Sequence, residues 1–259
     1  MLLALEVGNS STHCGLYEHG VPAFRSSFRL STDRNRLPDE WLAILASLMD
    51  AGGTKLDEID SVIISSVVPA VTGWLEEMCA DRLSIAPIIV DTRLDLGIRL
   101  LVDEPEKVGA DRIVDCLAAN ARYGSPAIII DLGTATTIDV TDRDGNYIGG
   151  AIAAGIGTSL KGLAANAAQL FSIELRMPEQ AIGKSTVAQL RSGLVLGHVA
   201  MLEGLIRRTR EEIGVSAQTI LTGGYATMLK DHSPFFDVVD PDLTIDGLRL
   251  IHDQLRARG

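Results

Sequence analysis

The chain has 259 residues, of which 46% are hydrophobic, so it is long enough for one large domain or two medium ones with real cores. Its formal net charge of −11 excludes binding to nucleic acid or a membrane surface through bulk charge, because phosphate groups would be repelled. The three cysteines lack metal-site or disulfide-framework spacing, which favours a reducing, cytoplasmic location.

Short apolar runs alternate with longer segments of helical spacing along the chain, which predicts an α/β fold with mixed sheets. The predicted strands are 2–5, 13–17, 62–68, 88–90, 127–130, 137–140 and 219–222. The predicted helices are 38–51, 69–83, 109–122, 157–170, 185–214 and 243–257. No apolar run is long enough to span a bilayer, and Glu6 interrupts the first run, so we expect neither a membrane span nor a signal peptide.

One short pattern occurs twice. Residues 2–12 and 127–137 each contain an apolar run, a carboxylate (Glu6 or Asp131), one apolar residue, a glycine and several small hydroxyl or amide residues. Each copy continues into a second strand-like piece and a turn. A carboxylate in such a turn can hold a hard cation, and the glycine lets backbone N–H groups approach phosphate oxygens. The repeat therefore predicts two similar halves that face a phosphate.

The halves correspond beyond the opening hairpin. Residues 61–69 and 218–225 each form an apolar run that ends in small residues before a predicted helix. We place the boundary within 123–126, which gives domains 1–124 and 125–259. A single α/β domain with coincidental glycines is the weaker alternative, because the two hairpins match in order, spacing and position.

A candidate catalytic segment stands at the beginning of the predicted helix 109–122. In the sequence Gly109-Ala110-Asp111-Arg112, Asp111 could accept a hydroxyl proton as a general base, and Arg112 could hold a carboxylate or phosphate. From these four residues alone, a helix N-terminal acid beside a surface ion pair is the favoured interpretation.

Two further segments contain glycines near hydroxyl groups. The paired glycines within 221–225 could let a nucleobase or ribose lie against the backbone, although an ordinary strand-to-helix turn is about as probable. The segment 183–186 does not fit a phosphate-binding P-loop, because the first glycine of that motif would fall at Pro178 and no strand precedes it. Thr186 fits better as a helix N-cap or as a hydroxyl offered to a substrate.

Taken together, these motifs resemble the type III pantothenate kinases, which belong to the superfamily of acetate and sugar kinases, Hsc70 and actin. The ordered set is specific, and the likeness covers essentially the whole chain. The segments that carry it are 6–10, 31–36, 64–69, 109–112, 131–137, 222–224 and 239–244.

The resemblance implies two ribonuclease-H-like domains with mixed sheets flanked by helices and an ATP cleft between them. It implies a homodimer whose interface helps to form the pantothenate pocket. The implied reaction transfers the γ-phosphoryl group of ATP to the hydroxyl of pantothenate, the first step of coenzyme A synthesis. It also implies a monovalent cation, potassium or ammonium, and Mg²⁺ bound with ATP.

The resemblance also implies roles for individual residues. Asp111 would be the proton acceptor, Asp131 would bind the monovalent cation and Thr134 would contact ATP. Pantothenate would be bound by Gly109, Ala110, Asp111, Arg112 and Thr186. The first ATP-phosphate loop would consist of Glu6, Val7, Gly8, Asn9, Ser10, Ser11, Thr12 and His13.

The chain departs from the family pattern at two places. The family's first loop reads Asp-x-Gly-Asn-Thr, whereas this chain has Glu6 and Ser10. The extra methylene moves the carboxylate by roughly 1–1.5 Å, and a displacement on the order of 1 Å can cost about a hundredfold in rate, so Glu6→Asp is expected to raise activity.

Before the Gly-Ala-Asp-Arg motif the family has Tyr-Asp-Asn-Pro, whereas this chain has Val102-Asp103-Glu104-Pro105. An aromatic hydroxyl near the substrate is therefore missing, and Glu104 adds a negative charge. Two alternatives stay open: a catalytically weakened nucleotide-binding relative with a regulatory role, and a kinase of another small hydroxyl substrate.

Overall fold

The computed structural model describes residues 1–166 and 170–258. Within these ranges the chain forms two five-stranded sheets with helices between the strands. The strands are β1 (Leu2–Val7), β2 (Ser11–Tyr17), β3 (Phe24–Ser31), β4 (Ser61–Ser66), β5 (Ile88–Ile89), β6 (Ala127–Leu132), β7 (Ala135–Thr141), β8 (Tyr147–Ala154), β9 (Gln218–Thr222) and β10 (Val238–Val239). The α-helices are α1 (Pro38–Ala51), α2 (Pro69–Met78), α3 (Ala110–Tyr123), α4 (Ile156–Asn166), α5 (Thr186–Arg191), α6 (Gly197–Ile213), α7 (Ala226–Leu229) and α8 (Leu243–Arg258).

The two sheets have the same topology. The first has the strand order β3-β2-β1-β4-β5, and the second has the order β8-β7-β6-β9-β10. In each sheet the first three strands of the half pair antiparallel as a meander, and the remaining two continue the sheet in parallel. The predicted α/β fold with mixed sheets is therefore confirmed, and the sequence repeat corresponds to a repeat of structure.

The chain divides into two compact units. The first unit contains residues 1–98, 103–118 and helix α8, and the second contains the described part of 99–102 and 119–242. Helix α8 packs closely against α3 at Gly247. A Cβ at that position would lie 2.6 Å from the Cγ1 atom of Val114, so a larger residue would not fit without movement. The proposed domains 1–124 and 125–259 stay a prediction.

Each unit has its own apolar core. In the first unit, Trp41 and Leu45 of α1 and Leu75 of α2 are fully buried against one face of the sheet. In the second, Leu202 and Ile206 of α6 pack against the second sheet in the same way. In the part of the chain that the structure describes, no helix is long and apolar enough to cross a membrane.

Some elements were not predicted from the sequence. In strand β3, half-buried residues that include Phe24, Phe28 and Leu30 alternate with exposed polar residues, so the strand has no continuous apolar run. Strand β8 contains a Gly-Gly pair that reads as a turn, but a Cβ on Gly150 would overlap the carbonyl of Ile138 on β7, so the strand needs that glycine. Strand β10 and helix α7 were also missed, since they have only two and four residues.

Several predicted helices have different bounds in the structure. The segment 185–214 is divided into α5, a π-helical turn at Ser192–Leu196 and α6, and α2 likewise ends in a π-helical turn at Cys79–Leu83. Of the predicted helix 157–170, residues 167–169 lie outside the described residues.

Candidate active site

The first hairpin turn, Gly8–Ser10, joins β1 to β2 in the first unit. The backbone N–H of Gly8 donates to the carbonyl of Ser11 at 3.0 Å, and the side chains of Asn9, Ser10 and Ser11 are exposed. The Arg34 guanidinium donates to Asn9 Oδ1 at 3.1 Å. A backbone hydrogen bond thus closes the turn, and its exposed side chains carry hydroxyl and amide groups.

The turn is also tied to the neighbouring strand. The backbone N–H of Thr32 donates to the Ser10 carbonyl at 3.1 Å. The hydroxyls of Thr32 and Thr12 are hydrogen-bonded at 2.9 Å. Thr32 and Arg34 have no role in the prediction from sequence, because their partners Thr12 and Asn9 are 20 and 25 positions away and become neighbours only when the strands pair.

Glu6 and His13 stand opposite each other on β1 and β2. The Glu6 side chain is about a quarter exposed, whereas the imidazole of His13 is almost fully buried. The Glu6 Oε2 atom lies 3.7 Å from His13 Nδ1. His13 was grouped with the loop in the sequence, but it lies within strand β2, next to the turn rather than in it.

Asp111 is the second residue of α3 and belongs to the same unit as Glu6. Its Oδ1 atom accepts a hydrogen bond from the backbone N–H of Arg112 at 2.8 Å. A Cβ on Gly109 would lie 2.5 Å from that oxygen, so only glycine leaves room for the carboxylate in this position.

Burial raises the pKa of Asp111, and the negative charge of Glu6 acts in the same direction, while the hydrogen bond from Arg112 partly opposes both. A carboxylate with a raised pKa is a better proton acceptor than an ordinary surface aspartate. The sequence had favoured a structural helix acid for Asp111, and the structure adds a local environment that suits acid–base chemistry.

The second hairpin turn, Gly133–Thr134, joins β6 to β7 in the second unit. Asp131 stands opposite Thr137 on β7 and beside Thr222 on β9. Gly223 follows β9 with φ of +85°, and a Cβ there would overlap the Asp131 carboxylate oxygen Oδ1. The carboxylate therefore lies in a space that exists because residue 223 has no side chain.

The Asp131 carboxylate is an oxygen donor of the kind that hard cations prefer. The described residues contain no group of three or more His, Cys, Asp or Glu side chains that could hold a metal ion. A transition-metal centre built from such side chains is therefore not seen in the described ranges, whereas a site built on one carboxylate and backbone oxygens is compatible with them.

Thr134 is exposed, and its carbonyl anchors the second turn to α4. That carbonyl accepts from the Thr158 hydroxyl at 2.6 Å and from the Gly155 N–H at 3.1 Å. Next to the turn, the buried Thr136 hydroxyl is hydrogen-bonded to His198 Nε2 at 2.9 Å. Burial lowers the pKa of His198, which favours its neutral form.

Thr186 is exposed as the first residue of α5, but it is not the N-cap. The N-cap is Ser185, whose backbone is extended and whose hydroxyl oxygen accepts from the Ala188 N–H at 3.2 Å. The prediction of Thr186 as an N-cap is therefore wrong by one residue. Its hydroxyl is left available for the other predicted role, contact with a substrate.

The altered residues before α3 can also be placed. Glu104 is exposed and forms an ion pair with Lys107 one helical turn further on. Its extra negative charge is therefore balanced locally. Val102 is half-buried, and nothing in the structure explains why valine stands there.

The two sheets with their flanking helices have the fold of actin-like ATPases and sugar kinases. An inorganic polyphosphate/ATP-glucomannokinase from Arthrobacter sp. strain KM has the same fold, with a TM-score of 0.54 and 16% identity over 98% of both chains. A family model for type III pantothenate kinase matches residues 2–208. The chain belongs to the type III pantothenate kinase family.

Curated relatives match the chain over its full length. The type III pantothenate kinase of Roseiflexus sp. (strain RS-1) is 42% identical over 257 residues, which are 99% of this chain and 100% of that protein. The type III pantothenate kinase of Thermomicrobium roseum is 43% identical over 255 residues, which are 98% of both.

Proposed function

We propose that the chain transfers the γ-phosphoryl group of ATP to the primary hydroxyl of pantothenate. The observation that carries the proposal is Asp111, a half-buried carboxylate at the start of α3 whose pKa is raised by burial and by Glu6. Full-length relatives that are type III pantothenate kinases support this reaction over the regulatory relative and the kinase of another substrate.

In the proposed mechanism, Asp111 accepts the proton of the attacking hydroxyl, and Arg112 holds the substrate by its charge, with Gly109 and Ala110 lining the site. Phosphoryl transfer needs mainly alignment and charge neutralisation, so the groups that hold the phosphates contribute most of the catalysis. In this proposal the phosphate loop is formed by Glu6, Val7, Gly8, Asn9, Ser10, Ser11, Thr12 and His13. Its exposed Asn9, Ser10 and Ser11 would donate to the phosphates together with Thr134 of the second hairpin, while the buried Val7, Thr12 and His13 would support the turn.

Two cations belong to the proposal. Asp131 would hold a monovalent cation, potassium or ammonium, and Mg²⁺ would arrive with ATP. When bound, they supply positive charge that offsets the charge of the phosphates. We also expect the enzyme to work in the cytoplasm.

We further propose a homodimer in which Thr186 contacts pantothenate. The support is an exposed apolar side chain close by in sequence, since Ile182 is 81% exposed, and large exposed apolar groups often mark protein interfaces. Light scattering should give the mass of two chains, and a monomeric mass at assay concentrations would contradict the dimer.

The test of the function is an ADP-release assay with ATP, Mg²⁺, K⁺ and pantothenate. The wild type should turn over, and Asp111→Asn should lower kcat by at least about a hundredfold, because it removes the general base, while ATP affinity stays nearly unchanged. Asp103→Asn is the matched control, since Asp103 is exposed in the segment before α3. Wild-type release of ADP that does not depend on pantothenate would contradict the proposed substrate, and normal turnover of Asp111→Asn would remove Asp111 as the base.

A further inference from the structure

The buried imidazole of His13 has one acidic neighbour in the first hairpin. His13 and Glu6 are directly paired in the antiparallel ladder of β1 and β2, so their side chains lie on the same face. The imidazole is only 4% exposed, and within the described residues its Nδ1 atom has no hydrogen-bond partner. A buried nitrogen without a partner destabilises a fold unless a neighbouring group compensates for it.

Glu6 is the group in position to compensate. Its Oε2 atom is 3.7 Å from His13 Nδ1, which is outside hydrogen-bond distance but within reach of a small side-chain movement. An aspartate at position 6 would end roughly 1–1.5 Å nearer its own backbone. The glutamate side chain is therefore long enough to bring its carboxylate near the buried imidazole, and an aspartate would leave a wider gap.

The position of Glu6 also matters beyond the hairpin. The Glu6 carboxylate is near enough to Asp111 to raise the pKa of that residue through its charge. A mobile Glu6 would change both the phosphate turn and the electrostatics of the proton acceptor. A residue that fixes Glu6 would thus influence the reaction without touching the substrate.

We propose that His13 is a positioning residue that holds the Glu6 carboxylate in place, so that Glu6 and His13 function as a matched pair in the first turn. The inference rests on the proposed kinase function. It replaces the prediction that Glu6→Asp raises activity, because Glu6 stands opposite His13 on the paired strand.

The test is a double-mutant cycle of wild type, Glu6→Asp, His13→Val and the double variant, assayed with saturating ATP and pantothenate. Each single substitution should lower kcat by about 10- to 100-fold, because the carboxylate is misplaced on the scale of 1 Å. The KM for pantothenate should stay within about twofold, since substrate binding does not involve the pair. The double variant should be no slower than the slower of the two single variants, because His13 acts on the reaction only through Glu6.

His232→Val is the matched control, since His232 is exposed in the second unit and its loss should leave kcat unchanged. If the fold-loss in kcat of the double variant equals the product of the two single losses, the residues act independently and the pairing is overturned. A Glu6→Asp variant that is faster than wild type whether or not His13 is present would also overturn it, since that result would make Glu6 a simple handicap.

Thermal unfolding of the same four proteins tests the pair without any turnover. The double variant should have a higher Tm than the sum of the two single shifts predicts. Additive Tm shifts would show that the two side chains do not stabilise each other in the fold, and they contradict the pairing as independent kcat effects do. A wild type that does not phosphorylate pantothenate would instead contradict the proposed function, and the Tm cycle would then still decide whether the two residues are coupled.

Discussion

The two hairpins of this protein have the same backbone plan and different surroundings. Glu6 and Asp131 each occupy the fifth position of a six-residue strand, between an antiparallel partner and a parallel one. The first carboxylate faces the buried imidazole of His13, whereas the second lies against the glycine that follows β9. What each turn can bind is therefore decided by the residue opposite it and by the end of the neighbouring strand.

The largest expected effect comes from filling the space beside Asp131. Gly223→Ala should destabilise the protein by about 2–4 kcal/mol, because the left-handed backbone costs about 1 kcal/mol and overpacking about 1–3 kcal/mol. Urea unfolding measures the change. Gly224→Ala is the matched control, since a Cβ at Gly224 would meet nothing within 4 Å. Equal effects of both substitutions would show that the close contact with Asp131 is unimportant.

A smaller effect on stability is expected when the pH is lowered, through His198 beside the second hairpin. Burial lowers the pKa of His198 below its unfolded value of about 6.5, so the unfolded chain binds more protons as the pH falls. The stability that this residue contributes is therefore complete above about pH 6.5 and is lost as the pH falls through the lower folded pKa.

Between pH 8 and pH 5, Tm should fall less steeply for His198→Gln than for wild type. The comparison is of slopes, so a change in Tm that the substitution causes at every pH does not affect it. His232→Gln, a substitution of an exposed histidine, should follow the wild-type curve. A His198→Gln curve parallel to that of wild type would mean that His198 has no part in the acid response.

The fold could be predicted from the sequence because its signals are local. The buried central strands are continuous apolar runs, and the repeated carboxylate-glycine pattern marks both hairpins. Edge strand β3 has no such run, but Phe24, Phe28 and Leu30 alternate with exposed polar residues. That period-two pattern is also a local signal, and it could have predicted the strand.

For the candidate site, the sequence motifs point to residues but not to the contacts those residues make. The motifs identified Glu6, Asp111 and Asp131 as chemical groups. The imidazole opposite Glu6 and the glycine beside Asp131 become neighbours only through strand pairing, which joins positions seven and ninety-two residues apart. Similarly, the choice between Ser185 and Thr186 as N-cap depends on backbone dihedral angles that neighbouring hydroxyl residues do not reveal.

The most direct test of the difference between the two hairpins is the effect of potassium on Tm in the presence of ATP. Wild type, Glu6→Gln and Asp131→Asn would be compared in KCl and in NaCl at equal ionic strength. A cation that binds only the folded state raises its stability, so wild type and Glu6→Gln should be more stable in KCl, and Asp131→Asn should show no difference. Full potassium stabilisation in Asp131→Asn, or its loss in Glu6→Gln, would contradict the assignment of the cation to the second hairpin.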